Sequence, residues 1–412
     1  MKILFISNLY PPNVVGGYER LCFDVASALA EKGHDVSVLT SSYGRKQEVY
    51  PDQVVDRSLK LMADDADIYK TFNASQNEID EFSKNNNKLV EQKIISQDPD
   101  IVFVWNLFFL NSSIIEAIRR SEKKTVFLLT DNWLISFLNP SFWSDYFTSR
   151  VLASPALVQR IKSGIRTFFS GGNRKKLFLE GKAVFPSIFM RDLYFKAGFS
   201  FTDHVIVPHG VNLISRTDED YADRSVLKDP GRLKLLFAGR IVQIKGVHTI
   251  IQALPGIIES LPETRVHLTI LGDCSDSGYL ERMNKMVSEK GLAETVTFIP
   301  PVKECRLFSL FQEHDIYLFP SLYEPFSLTL IHALQSGIPT IASDTGGNRE
   351  IVSHGKNGIL FRTEDCGQLT SMVVKLAKSS ELRERISVKA RDVGEYYTFD
   401  RMVDQIENYL KG

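Results

Sequence analysis

At 412 residues the chain is longer than one hydrophobic core serves, so two or three domains are expected; 43% hydrophobic and 24% charged residues are the mix of a globular protein. A formal net charge of -1 leaves no global field to gather nucleic acid, which is excluded as a partner, and any anionic surface must be met by a local patch. Four scattered cysteines without a C-x-x-C pair, no apolar run near the roughly 20 residues of a membrane span, and an opening too short for a signal peptide point to a reduced, cytoplasmic setting.

In chain order, residues 2–7 are an apolar run that reads as a central parallel strand, followed by the loop 8–17. A helix from Tyr18 carries Leu21, Val25, Ala28 and Leu29 on one face, and Gly33 stops it. Residues 36–39 supply the next strand. This is a Rossmann-like opening, yet G-x-G-x-x-G is missing, which disfavours a nicotinamide or flavin enzyme. Gly16 and Gly17 let a phosphate or an acceptor approach the backbone, or they are a plain loop pair; Glu19 equally suits the first turn of a helix. Residues 45–98 are polar, with one helical pattern over 77–96. Asp98-Pro99-Asp100 has the spacing of a D-x-D metal motif, but Pro99 and the apolar run 101–104 read as a turn into a strand.

A helix over 112–120 precedes the strand 125–129, after which comes Asp131, a carboxylate where parallel sheets bind ligands. Residues 134–180 read as an insertion in which Phe137, Trp143, Tyr146, Phe168 and Phe169 are interleaved with Arg150, Arg160, Lys162, Arg166 and Arg174. Such a segment suits peripheral contact with an anionic membrane or a grip on an anionic acceptor, or else it packs as a solvated helical pair. Strands at 182–185 and 204–207 close the first domain, and Pro208-His209-Gly210-Val211 begins the connection to the second. Beyond it, apolar runs at 233–237, 266–271, 296–299, 316–319 and 339–342 alternate with helical patterns, so a second doubly wound parallel sheet follows, and 399–410 is a final helix.

Most of the readable chemistry lies in this second half. Pro325 fits a loop or first helical turn, Ser327 caps or begins a helix with Leu328, Leu330, Ile331 and Leu334 on its apolar face, and Gly337 with Pro339 stops it. Glu324 then sits beside backbone N–H groups at a positive helix end. Those groups suit phosphate oxygens, and the carboxylate suits sugar hydroxyls or a developing positive charge. Read blandly, the stretch is a strand, a loop and a buried helix. Arg240 and Lys245 flank the loop after the strand 233–237, where a diphosphate could collect both, and Gly239 and Gly346-Gly347 permit close approach.

Five stretches, in order, resemble one family: G-G-Y-E-R at 16–20, F-A-G-R-I-V-Q-I-K-G at 237–246, E-P-F-S-L-T-L-I-H-A-L from Glu324, G-G-N-R-E-I-V at 346–352 and G-K-N-G-I-L-F at 355–361. The chain is similar to the retaining, nucleotide-sugar-dependent glycosyltransferases of family 4. That resemblance implies an α/β, GT-B architecture of two Rossmann-like doubly wound parallel-sheet domains facing across a cleft. Residues 1–208 would form the acceptor side, with 399–412 packed back on it, and residues 209–398 would bind the nucleotide sugar. It implies Glu324 on donor-sugar hydroxyls, the N–H groups of Phe326, Ser327 and Leu328 on the diphosphate, and Arg240 and Lys245 neutralising the leaving group in place of a metal. It further implies Gly17 in the loop beside the phosphates and Asp131 in the catalytic set, although Thr130 stands where many members carry His. His332 takes the second Glu position of E-x7-E, where a carboxylate would accept ribose hydroxyls and a neutral imidazole offers one acceptor; alternatively it is a packed helix residue.

The expectation is a retaining glycosyltransferase, free of metal and cofactor, that moves a sugar from a nucleotide-sugar donor to a saccharide, lipid-linked or small-molecule acceptor. Its place would be the cytoplasm or the inner face of a membrane. A sugar-nucleotide epimerase or hydrolase on the same scaffold, or a non-catalytic nucleotide-sugar-binding protein, are the alternatives.

Overall fold

A computed structural model describes residues 1–44, 48–64, 68, 74–151, 176–212, 221, 223, 227, 229, 231–274 and 276–412. The chain divides into two compact units. The first holds seven strands together with residues 403–412, and the second holds six strands.

In the first unit Lys2–Ser7 (β1), Asp35–Ser41 (β2), Val54–Leu59 (β3), Ile101–Asn106 (β4), Lys124–Leu128 (β5), Leu177–Phe185 (β6) and Phe199–Ile206 (β7) form one sheet in the order β3-β2-β1-β4-β5-β6-β7. Every ladder is parallel. The central strands are buried along almost their whole length, which is why their sequences are unbroken apolar runs. Three features depart from the sequence pattern, the plainest being β7, expected at 204–207, which begins at Phe199. β3, V-V-D-R-S-L, was hidden because it is an edge strand that keeps polar side chains, Asp56 meeting Lys93 at 3.0 Å. β6 is longer than its apolar core, so residues 177–180 belong to the sheet and not to the insertion, with Leu177 in register with Phe199.

The insertion opens with the helices Trp133–Leu138 and Pro140–Tyr146 and a π-helical turn Phe147–Val151. Arg160, Lys162, Arg166, Phe168, Phe169 and Arg174, on which the membrane reading rests, lie outside the described residues. The helix Phe399–Lys411 begins in the second unit and ends in the first. There Lys32 Nζ meets Asp404 at 2.7 Å, and Glu407 takes His34 at 2.9 Å; hydrogen bonds from Lys411 and then His34 hold the Glu407 carboxyl down at about 2.

In the second unit Arg232–Ala238 (β8), Arg265–Leu271 (β9), Val296–Ile299 (β10), Ile316–Phe319 (β11), Thr340–Ser343 (β12) and Ile359–Phe361 (β13) run in the order β10-β9-β8-β11-β12-β13, again all parallel. Leu235, Phe237, Leu268, Ile270 and Leu318 face one helical layer, while Leu236, Tyr317, Phe319 and Ala342 face the other. Both sheets thus repeat one winding: the chain builds outward from the first strand, then returns to build outward on its other side.

Candidate active site

The reversal of strand order in the second sheet falls between β8 and β11. In an open parallel sheet the crevice outside the strands' carboxyl ends at that point is where ligands bind. Both connections that leave these strands carry residues singled out by sequence. After β8 come Gly239, the exposed Arg240 and a 3-10 turn, Gln243–Lys245. After β11 come the loop 320–327 and the helix Leu328–Gln335.

The two loops are joined. Lys245 Nζ donates to Glu324 Oε2 at 2.6 Å, and the side chains are only 16% and 5% exposed. Ser321 Oγ donates to the same oxygen at 3.3 Å, and Leu322 N to Ile244 O at 2.7 Å. Lys245 Nζ also lies 5.6 Å from the Phe319 ring centroid. Glu324 is therefore not the solvated loop carboxylate of the bland reading. It is 4% exposed and charge-matched by Lys245. Arg240, by contrast, has no ion pair or hydrogen-bond partner among the described residues and is exposed at the loop's edge.

Two glycines make this approach of loops achievable. Gly246 has φ +70, and a Cβ there would lie 2.1 Å from the Pro320 carbonyl oxygen. Gly346 has φ +52, and its Cβ would lie 2.0 Å from the Glu324 carbonyl oxygen, which also accepts from Gly347 N at 2.9 Å. The glycine pair 346–347 thus presses on the Glu324 loop itself. Gly239 has only the Phe237 ring near its Cβ position. Thr345 Oγ1 donates to Leu322 O at 3.2 Å and Ser343 Oγ to Ser321 O, with Asn348 Nδ2 on Ser343 O at 3.1 Å. Sequence reading missed these struts, since nothing local to Ser321, Ser343 or Thr345 announces them.

Ser327 caps the helix as its sequence suggests, its Oγ accepting from Leu330 N at 3.1 Å. The N–H groups of Phe326, Ser327 and Leu328 have no acceptor among the described residues. They stand at a positive helix end, ready for an anion. The Phe326 ring is 8% exposed and packs edge-on against His209, 5.6 Å between centroids, and Tyr397 at 5.7 Å. Phe326 therefore offers a ligand its backbone rather than its ring. His332, one turn into the helix, is half-buried and engaged within the protein.

Gly17 and Asp131 belong to the first unit. Gly17 starts the helix Gly17–Glu31, and a Cβ there would meet nothing within 4 Å, so no protein group demands a glycine. Glu19 accepts from Gly16 N at 2.9 Å, closing the helix start. Asp131 follows β5; its Oδ1 accepts from Trp133 N at 2.8 Å, and its carbonyl from Tyr194 Oη at 2.9 Å. The D-x-D carboxylates are spent locally: Asp98 pairs with Lys123, and Asp100 accepts from Lys2 N at 2.8 Å. Among the described residues no three His, Cys, Asp or Glu side chains gather as a metal would need.

Two doubly wound parallel sheets, ordered 3-2-1-4-5-6-7 and 3-2-1-4-5-6, with a cation, a carboxylate and free N–H groups at the switch point of the second, define an α/β protein of the GT-B type. The chain belongs to the group 1 glycosyltransferases: the model described as "Glycosyl transferases group 1" matches residues 218–393, and that described as "Glycosyltransferase Family 4" matches residues 15–214. It is similar, at 34% identity over 157 residues, to a D-inositol 3-phosphate glycosyltransferase of Pseudarthrobacter chlorophenolicus, a match covering 38% of this chain and 37% of the relative. An uncharacterized glycosyltransferase of Methanocaldococcus jannaschii aligns over 100% of this chain and 98% of its own length at 24% identity. Among solved structures, Anabaena HepE in complex with UDP matches with a TM-score of 0.71 and 18% identity, covering 100% of both chains.

Proposed function

We propose that this protein is a retaining, metal-independent glycosyltransferase that moves a sugar from a nucleotide-sugar donor to a saccharide, lipid-linked or small-molecule acceptor. The observation that carries this reading is the Lys245–Glu324 pair, buried at the switch point of the second sheet beside the unengaged N–H groups of Phe326, Ser327 and Leu328. A diphosphate at that helix start takes the three N–H groups and the guanidinium of Arg240, with Lys245 shared between phosphate and Glu324. Glu324 accepts from hydroxyls of the donor sugar, and His332 faces the ribose. Asp131 and Gly17 serve the reacting end and the phosphates. As the bond to the anomeric carbon lengthens, negative charge grows on the departing diphosphate, and the two cations with the N–H groups stabilise it as a divalent metal otherwise would.

HepE is solved with UDP and with UDP-glucose, so uridine diphosphate sugars are the first donors to try. The reading places the protein in the cytoplasm; among the described residues no helix is long and apolar enough to cross a membrane. A calorimetric screen of nucleotide sugars, followed by turnover of the best ligand with and without acceptors, tests it. Transfer with retained anomeric configuration is the expected result. Conversion or hydrolysis of the donor that ignores acceptor would replace it with the epimerase or hydrolase reading, and tight binding without turnover with the non-catalytic one.

A further inference from the structure

The first sheet has its own switch point, between β1 and β4. The loop that leaves β4 there carries two adjacent aromatic residues. Phe108 is 39% exposed, and Phe109 holds φ +68, a left-handed conformation that a bulky residue adopts only at a cost and that gathers at ligand sites. Their rings stand 4.6 Å apart at 74°, edge to face. The loop is tied at each step. Phe108 N donates to Asn106 Oδ1 at 2.8 Å, Asn8 Nδ2 to Phe108 O at 3.1 Å, Met62 N to Phe109 O at 2.7 Å and Leu110 N to Leu107 O at 3.0 Å. Strain here is held by its surroundings, and the tied backbone presents Phe108 at the surface.

We propose that Phe108, braced by Phe109, is a stacking platform for a sugar ring of the acceptor. An aromatic face is electron-rich and attracts the polarised C–H bonds of a pyranose. The rim suits hydroxyls: the half-buried Asn111 and the exposed Ser112 follow the pair, while Asn106, Leu107 and Leu110 are buried. A polyprenyl chain would need contiguous exposed apolar surface, which this loop does not present. The inference rests on the glycosyltransferase reading and narrows its acceptor to one with a saccharide ring.

Saturation-transfer NMR tests it on the whole protein with UDP present, using methyl β-D-glucopyranoside, methyl β-D-galactopyranoside and methyl α-D-mannopyranoside in one arm and farnesyl phosphate in the other. Irradiating aromatic protons should carry saturation to the C–H protons of at least one glycoside. Phe108→Ser and Phe108→Leu should weaken that transfer at least threefold, while Phe108→Trp retains it. Because Phe108 is exposed, all three variants should melt within about 2 °C of the parent. Equal transfer in Phe108→Ser, transfer to no glycoside, or transfer to farnesyl phosphate alone would overturn the proposal. UDP binding is read separately by calorimetry, and its failure would count against the donor reading while the glycoside comparison, repeated without UDP, still decides the platform.

Discussion

Lys245 and Arg240 offer one kind of charge under different constraints, and substitution should separate them. Arg240 is exposed, so Arg240→Ala should leave the melting temperature unchanged and raise the donor dissociation constant at least about tenfold, the loss of one charge-assisted contact of roughly 1.5–3 kcal/mol. Lys245→Ala should do the same to the donor and also destabilise the protein by up to about 3 kcal/mol, because Glu324 is left buried without its partner. Melting curves and donor titrations of the two variants check this; a Lys245→Ala protein as stable as Arg240→Ala would mean that the pair holds nothing. Glu324→Ala should cut turnover more than donor affinity, since the contact proposed for it, on the donor sugar, would lie nearer the reacting carbon. His332→Ala should weaken donor binding by roughly 1 kcal/mol and His332→Glu should keep or improve it, whereas indifference to both would take His332 away from the ribose.

At the scale of elements, the Glu324 loop is held by glycines from other strands. Gly346→Ala sets a side chain 2.0 Å from a backbone oxygen at φ +52 and should cost at least about 2 kcal/mol, seen as a melt earlier by roughly 4 °C or more. Gly17→Ala, with nothing within 4 Å, should keep the parent's melting temperature, so any loss of activity would be steric to a ligand. The helix after Glu324 was legible in every part. Ser327 caps it, Leu330, Ile331 and Leu334 of its apolar face are buried with Leu328 partly so, and Gly337 at φ +66 ends it. These are local signals, readable one turn at a time. β3 was not, because a strand that keeps polar or charged side chains has no apolar run to display, and residues 177–180 were not, because Glu180, Gly181 and Lys182 part Leu177, Phe178 and Leu179 from the buried end of the strand. Nor was the Lys245–Glu324 bond, which joins residues 79 apart and exists because β8 and β11 are neighbours at the reversal of strand order. For Gly346-Gly347 the structure adds a reason that the sequence did not show: the pair makes room for the protein's own backbone.

At the scale of the molecule, the chain passes from the first unit to the second at Val207 and Pro208, and His209 sits just beyond, buried against Phe326. Burial pushes its imidazole down to about 4 from the ordinary 6.5. The folded protein keeps this ring neutral while the unfolded chain protonates it below 6.5, so its contribution is full above that pH, is lost as pH falls from about 6.5 towards 4, and is constant below. Urea melts at pH 7 and pH 5 should therefore differ in the direction of lower stability at pH 5, by at most about 2 kcal/mol from this group, with His209→Gln removing that part of the difference. If Arg240 and Lys245 take a metal's place, as we propose, turnover should survive EDTA; complete loss restored by manganese would contradict that. The central claim, that the switch point of the second sheet holds the donor's diphosphate through these two cations, is tested most directly by titrating UDP and UDP-glucose, with EDTA present, into the parent protein and the Arg240→Ala/Lys245→Ala double variant. Binding by the parent that weakens at least a hundredfold in a still-folded double variant is the predicted result; equal affinities for the two proteins would contradict it.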